Sequence, residues 1–274
     1  MNAIQAAILG LVQGVTEFLP ISSTAHLRIV PALAGWDDPG AAFTAVLQLG
    51  TLAAVIVFFL GELIRMLRAA LQALRAPSGT RPSTDARHLG YLIVGTIPIG
   101  VVGLLLRHAV EGAFRSLWVV AIALIVVALA LAWIERRRQG TQGRDLDDIT
   151  LRDAILIGCA QALALVPGVS RSGITLLAEM ALGIRRDAAA RFSFLLSIPA
   201  VGAAGIFELP KIMHAHDIGG TPLAIGLIVA ALSGYASIAW LLKFLRTRST
   251  MPFVIYRVAL GVAIIAMLAS GRLG

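Results

Sequence analysis

Two short stretches hold most of the side chains able to do chemistry. The first reads Gln13-Gly14-Val15-Thr16-Glu17-Phe18-Leu19-Pro20-Ile21-Ser22-Ser23-Thr24-Ala25-His26, and the second Pro167-Gly168-Val169-Ser170-Arg171-Ser172-Gly173-Ile174-Thr175. If residues 3–18 are helical, Gln13 and Glu17 are four apart and share a face. Pro20 then ends that helix, and Ser22, Ser23 or Thr24 caps the next one. Ser23 and His26, three apart, would share a face of that second helix. In the second stretch a loop between Gly168 and Gly173 opens a helix, so its N–H groups and positive dipole end face an anion. Arg171 adds a planar fork matched to phosphate oxygens, and Ser170, Ser172 and Thr175 add hydroxyl donors. A carboxylate able to hold a divalent cation, a Ser/His pair able to make a nucleophile and a phosphate cradle are the parts of phosphoryl transfer. Each also has a structural reading: Glu17 pairs with Arg171 and joins the two stretches, while the Ser-Ser-Thr run caps a helix and packs it against a neighbour.

The elements that must position these residues lie in lipid. The 274 residues are 58% hydrophobic and only 14% charged, with a mean hydropathy of +0.87, where a soluble domain carries about 25% charged residues. A net charge of +8 would raise nucleic acid as a partner in a soluble protein. The apolar runs exclude it, because a nucleic-acid module needs a water-exposed basic face. The lone Cys159 can form no intrachain disulfide and reads as a packed thiol.

Apolar stretches of the roughly 20 residues needed to cross a bilayer occur near 41–60, 90–107, 115–134, 192–209, 221–242 and 252–270. Residues 3–35 and 151–184 are apolar too, but Pro, Gly, Ser and charged residues interrupt them, and each half is too short to span. The expected fold is therefore an all-α integral membrane protein with six crossing helices and two re-entrant helix-loop-helix hairpins. Irregular backbone at membrane depth persists only beside protein or a polar cavity, so the two hairpin tips should meet across one.

Arginine and lysine assign the sides. The segments 61–89, 135–150, 185–191 and 243–248, with Arg152, carry 16 of the 23 basic residues, and six crossings plus two hairpins place all of them on one side, the cytoplasmic one. Both termini and the loops 108–114 and 210–220 then lie outside, and the hairpins enter from opposite faces. The halves also match in sequence: Gly10 and Gln13 align with Gly158 and Gln161, and Pro20-Ile21-Ser22-Ser23 aligns with Pro167-Gly168-Val169-Ser170. An inverted-topology repeat with halves near 1–140 and 148–274, within a single membrane domain of 1–274, has its site where the broken helices meet.

The two chemistry-bearing stretches resemble the signature motifs of the bacterial undecaprenyl-diphosphate phosphatase family, also known for bacitracin resistance. The resemblance extends over nearly the whole chain, through Phe43 to Gly50 with Gln48, Leu146-Asp147-Asp148 and Phe192-Ser193-Phe194-Leu195-Leu196. It implies hydrolysis of undecaprenyl diphosphate to the monophosphate, which recycles a cell-wall lipid carrier, at an outward-facing site in the bacterial inner membrane. It also implies a divalent cation, Mg2+ or Ca2+. By position, Glu17 matches the family's acidic residue for metal or proton chemistry, Ser23 and His26 its nucleophile and acid/base pair, and Arg171 its phosphate-binding arginine. Gln13 stands where many members carry a second Glu, so it is a weak metal ligand and the cation would rest on Glu17, phosphate oxygens and water. Ala25 replaces a common Gly, which makes that position helical.

Ser23 attacking the terminal phosphorus, with His26 relaying a proton, and His26 itself as nucleophile are both open on this reading. The expected partners are a polyprenyl diphosphate and membrane lipids, with a homodimer compatible with both. The rival from another class is a transporter or flippase of a phosphorylated lipid, which would share the inverted repeat and the anion cradle but has no use for a Ser/His/Glu set. Among other ionisable groups, Glu179 should line the cavity or pair with Arg185 or Arg186. His88, His108, His214 and His216 read as solvated or interfacial, with His214 and His216 able to take adventitious metal. Arg257 reads as a buried partner or interfacial group, and Trp118, Trp133, Trp240 and Tyr256 as interfacial anchors.

Overall fold

A computed structural model describes residues 1–274 except 78, 139, 141, 215–219 and 272–274; the side chains of 41, 42, 111, 113 and 208–214 also lie outside the description. The described residues are mostly helical, and the β-type pairing among them is an isolated bridge between Arg144 and Ile184. In chain order the helices are α1 (Ala3–Phe18), α2 (Ser23–Ala34), α3 (Gly40–Phe58), α4 (Leu60–Arg75), α5 (Thr84–Leu105), α6 (Arg107–Glu111), α7 (Leu117–Arg137), α8 (Leu151–Ala162), α9 (Arg171–Ala181), α10 (Arg186–His214), α11 (Gly220–Leu245) and α12 (Met251–Ala269). Helices α5, α7, α10, α11 and α12 are long and apolar enough to cross a bilayer, and α3 and α4, bent by 74° at the break between them, meet the same length and composition only when taken together. The protein is an all-α integral membrane protein.

The hairpins are α1–α2 and α8–α9. Asn2 and Gln5 close a capping box on α1, and Thr150 and Asp153 close one on α8. After each first arm the chain turns through a serine with left-handed backbone, Ser22 at φ 74° and Ser170 at φ 71°. These are unusual values for a residue with a Cβ. Both serines then cap the second arm, Ser22 Oγ accepting from the Ala25 amide and Ser170 Oγ from the Gly173 amide.

Each first arm packs on one crossing helix through glycine. A Cβ on Gly10 of α1 would collide with the Gly226 carbonyl of α11, and one on Gly158 of α8 with the Gly95 carbonyl of α5. The aligned glycines of the two sequence halves thus do the same work. Helix α1 enters from the end where α11 begins, whereas α8 enters from the end where α7 finishes, so the hairpins are opposed. Helices α3 with α10, and α7 with α12, complete the bundle.

Ion pairs knit the arginine-rich end: Arg191 to Glu62 at 2.7 Å, Arg186 to Glu135 at 2.6 Å and Arg144 to Asp153 at 2.9 Å. Arg144 forks onto both Asp153 oxygens and also donates to the Leu182 carbonyl at 2.9 Å, so one side chain ties together the two open ends of the second hairpin.

Several expectations change. The basic segment 61–89 is not simply a loop: residues 60–75 form α4, turned 74° from the helix before it. Leu60, Ile64, Leu67, Leu71 and Leu74, alternating four and three apart, make an exposed apolar stripe on it. Helix α5 starts at Thr84, six residues before the apolar run, because Ser83 caps it. Cys159 is exposed rather than packed, on the outward face of α8. His88 is buried rather than solvated, and His108 is exposed; the His214 side chain and His216 lie outside the described residues. Trp118, Trp133 and Trp240 are each about half exposed.

Burial alone would raise the Asp153 carboxyl, but the Arg144 fork and the Thr150 hydrogen bonds outweigh it and hold it at about 2. An unfolded Asp titrates near 3.9, so the stabilisation is complete above about pH 4 and disappears as pH falls toward 2. Asp153→Asn should therefore lower the thermal midpoint in detergent at pH 7 and flatten its decline between about pH 4 and pH 2. A pH 7 midpoint equal to that of the wild type would contradict this.

Candidate active site

The hairpin tips meet beside a cavity of about 200 Å3 lined by Glu17, Ser23 and Thr24 from the first and Pro167, Ser170 and Arg171 from the second. Apolar Ile99 of α5 and Val201 of α10 form part of its wall, while Arg28, Thr44, Gln48 and Arg115 line it too, toward the end opposite the basic cluster.

Glu17 is the hub. Its Oε1 accepts from Arg171 Nη2 at 3.1 Å, and its Oε2 accepts from Ser23 Oγ at 2.6 Å and from Gln13 Nε2 at 2.9 Å. A carboxylate inside a membrane costs about 3 kcal/mol or more unless paired or hydrated; here both oxygens are satisfied. The Gln13–Glu17 face expected from their spacing exists, but Gln13 sits behind the carboxylate, fully buried, with its amide also reaching Thr51 Oγ1 at 3.4 Å. The expected Glu17–Arg171 pairing is present as well, at the cavity wall.

Arg171 is the first residue of α9. Nη1 donates to the Ser193 carbonyl at 3.1 Å, while Nε is buried and without a partner among the described residues. Ser170 and Arg171 are the two members of the expected phosphate cradle that line the cavity. The others hold the tips together: Ser172 Oγ donates to the carbonyls of Glu17 and Leu19 at 3.2 and 3.1 Å, and Thr175 Oγ1 shares a 2.6 Å hydrogen bond with Ser193 Oγ. Gly168, at φ 95°, lies against the Val120 carbonyl, and Gly173 makes room for Arg257 and Ser170. Ser22 is a buried cap.

His26 is not beside Ser23. Its Nδ1 lies 2.7 Å from the Ser22 carbonyl, which can only accept, so that nitrogen carries the proton; Nε2 meets Tyr256 Oη at 2.6 Å. The two rings stack at 5.6 Å. Its place three residues further along α2 turns His26 toward α12, while Ser23, at the first position, leans back toward α1. Tyr256 is thus a partner of His26 rather than an interfacial anchor alone. Glu179 neither lines the cavity nor pairs with Arg185 or Arg186, which bind Asp187 and Glu135. It is fully buried on α9, with both oxygens unpartnered among the described residues.

One residue that spacing alone did not reveal organises the site. Arg257, in the middle of α12, is fully buried and bonds only carbonyls: Pro20 at 3.1 Å from the first tip, Gly168 and Val169 at 2.9 and 3.0 Å from the second, and Leu124 and Ala123 at 3.1 and 3.4 Å from α7. Its signal was a single arginine within an otherwise apolar span. Arg28, two residues beyond His26, had a weak signal of that kind. Arg115 had none, because only folding brings it to the cavity.

Among the described residues, Glu17 is the only Asp or Glu lining the cavity, and no group of three or more His, Cys, Asp or Glu occurs. That donor set suits a hard cation held mainly by phosphate oxygens, the usual way Mg2+ binds, and not a cation caged by protein alone.

Fold and site define an integral membrane protein with a paired serine, carboxylate and arginine at a partly apolar cavity. Residues 6–263 match the family model described as Bacitracin resistance protein BacA, and the chain belongs to that family. It is 51% identical over 276 residues to an undecaprenyl-diphosphatase of Myxococcus xanthus (strain DK1622), covering 100% of this chain and 91% of that protein. It is 52% identical over 272 residues to one of Nocardioides sp. (strain ATCC BAA-499 / JS614), covering 99% and 98%. Against one of Chloroherpeton thalassium (strain ATCC 35110 / GB-78) it is 49% identical over 284 residues, covering 100% and 99%.

Removing the Arg257 guanidinium would take the donor from the tip carbonyls of Pro20, Gly168 and Val169, each unpaired buried acceptor costing about 1–3 kcal/mol, whereas the Ala123 and Leu124 carbonyls keep their place inside helix α7. Arg257→Met should sharply reduce the yield of monodisperse protein in detergent, and Arg257→Lys, lacking the planar fork, should recover only part of it. Size-exclusion profiles and thermal midpoints check this; an Arg257→Met midpoint within about 2 °C of wild type would refute it.

Proposed function

We propose that the chain hydrolyses undecaprenyl diphosphate to undecaprenyl phosphate and phosphate. The observation that carries the reading is the Ser23 hydroxyl 2.6 Å from Glu17 Oε2, at a cavity where Glu17 Oε1 is paired with Arg171. The names of relatives near 50% identity over the full chain support it over a transporter, for which a serine held on a carboxylate would have no use.

In the first step Ser23 Oγ forms a bond to the terminal phosphorus, its proton passes to Glu17 Oε2, and the bridging P–O bond breaks to release undecaprenyl phosphate. Water then attacks the phosphoserine, yielding phosphate and restoring the Ser23 hydroxyl. Arg171 and the Ser170 end of α9 hold the phosphoryl oxygens as charge moves onto them. A divalent cation, with Glu17 its protein ligand and Gln13 fixing that carboxylate from behind, would neutralise phosphate charge. His26 is a positioning residue: by donating to the Ser22 carbonyl it fixes the left-handed turn that aims Ser23.

The excess of arginine at the far end supports a cytoplasmic assignment for that end. The cavity and both termini then face outward across the bacterial cytoplasmic membrane, where the spent lipid carrier is exposed. The repeat halves lie near 1–140 and 148–274, and bilayer lipids, or a second copy, cover the exposed apolar side chains.

Purified protein in detergent should release phosphate from undecaprenyl diphosphate, EDTA should suppress release, and Mg2+ or Ca2+ should restore it. Ser23→Ala and Glu17→Gln should each lower kcat by about 100-fold or more, and acid-quenched turnover should trap phosphate on Ser23. Label on His26 with near-normal turnover by Ser23→Ala would overturn the mechanism, and no release by wild type would overturn the function.

A further inference from the structure

The catalytic cavity has a second cationic group that the steps above leave unused. Arg28 and Arg115 line the same cavity as Ser23 and Arg171. They come from different parts of the chain, Arg28 from α2 and Arg115 from the turn before α7. Both converge on one carboxylate: Arg115 Nη2 lies 2.7 and 2.8 Å from the two oxygens of Asp38, and Arg28 Nε lies 3.5 Å from Oδ2. Arg28 Nε also donates to the Arg115 carbonyl at 3.4 Å. Two cations thus share one anion, leaving a formal charge of +1.

The donors point to what that charge receives. Asp38 occupies the Arg115 fork, but the contacts of Arg28 run through Nε, and its Nη groups make no hydrogen bond among the described residues. Thr24 and Arg28 are four apart on α2 and both line the cavity. Arg28 follows Ser23 by five residues, about 7.5 Å along the helix axis, a distance its long side chain can span back toward the nucleophile. The Ser170–Arg171 cradle holds one phosphate group, and a diphosphate has two.

We propose that Arg28, braced by Asp38 and Arg115, is a second anion subsite that binds the phosphate remaining on the lipid while Arg171 and Ser170 hold the phosphate that is cleaved. The inference rests on the phosphatase reading. It makes the mouth of the cavity select a lipid-linked diphosphate over free phosphate, because only a molecule with two phosphates fills both subsites. It also makes the lipid monophosphate product a ligand of the mouth and inorganic phosphate a ligand of the inner cradle.

The test is steady-state kinetics on the full-length protein in detergent with Arg28→Gln, Arg28→Lys and Arg115→Gln, using undecaprenyl diphosphate as substrate and undecaprenyl phosphate and inorganic phosphate as inhibitors. A charge-assisted hydrogen bond lost from a phosphate corresponds to roughly 10-fold or more in affinity. Arg28→Gln should therefore raise KM and the inhibition constant of undecaprenyl phosphate together by about 10-fold or more, with kcat within about threefold and the inhibition constant of inorganic phosphate unchanged. Arg28→Lys should fall between Arg28→Gln and wild type, and Arg115→Gln should shift the same two constants in the same direction. A KM and a monophosphate inhibition constant both within twofold of wild type would overturn the proposal, as would a fall in kcat at constant KM or an equal loss of both inhibitors. Should Arg28→Gln fail to fold, Arg28→Lys decides by the same two constants. Wild type without phosphate release would instead overturn the phosphatase reading and this inference with it; an active wild type with unaffected variants overturns the inference alone.

Discussion

A single buried guanidinium holds the middle of this protein together. The five carbonyls that Arg257 gathers come from both hairpin tips and from α7, and no carboxylate is among them. The chain reverses at membrane depth in two places, and each reversal exposes backbone oxygens that lipid cannot satisfy. One planar, multi-donor cation meets that need for both tips at once and fixes their separation. The distance between Ser23 on one tip and Arg171 on the other depends on it.

The two hairpins share their geometry and differ in the polar groups they present. Ser22 and Ser170 adopt the same left-handed turn and cap the same kind of helix. Gly10 and Gly158 let the two first arms lie against their scaffold helices. The residue after the left-handed serine differs, Ser23 in one half and Arg171 in the other. Because the hairpins are opposed, that difference puts the Ser23 hydroxyl and the Arg171 guanidinium face to face, with Glu17 bonded to both. The local cost of a buried carboxylate, a buried arginine and two unfavourable backbone angles is concentrated where the chemistry is, and the apolar core around Phe18 and Phe194 supports it.

Much of this was legible in one dimension. The apolar runs located the crossing helices to within a few residues at most ends, since burial in lipid demands both length and hydrophobicity. The breaks at Pro20 and at Pro167-Gly168 marked the hairpins, and the charges that a membrane should not tolerate, Glu17 and Arg171, marked the site. Helix α4 was hidden because arginines interleave with its apolar stripe and lower its mean hydropathy. The place of Arg115 beside Asp38 was hidden because 77 residues separate them in the chain. Ser23 and His26 illustrate the limit of spacing rules: three residues apart at the very start of a helix, they point to different neighbours, since a first-turn side chain can lean off the helix end.

The sequence by itself determined the solvent, the element types, the opposed hairpins and the residue types available for phosphoryl chemistry, because each is written in local composition and period. Tertiary structure alone decided which of those residues meet. On the sequence alone, Glu17 pairs with Arg171 while Ser23 and His26 share one helix face; packing kept the first pair, gave Ser23 to Glu17 and sent His26 to Tyr256. Arg257 could have been an interfacial side chain until the fold placed it among five carbonyls. Such contacts join positions up to 237 residues apart, and only the closing of the bundle, which buries every unmet polar group against a partner or leaves it at a cost, selects among them.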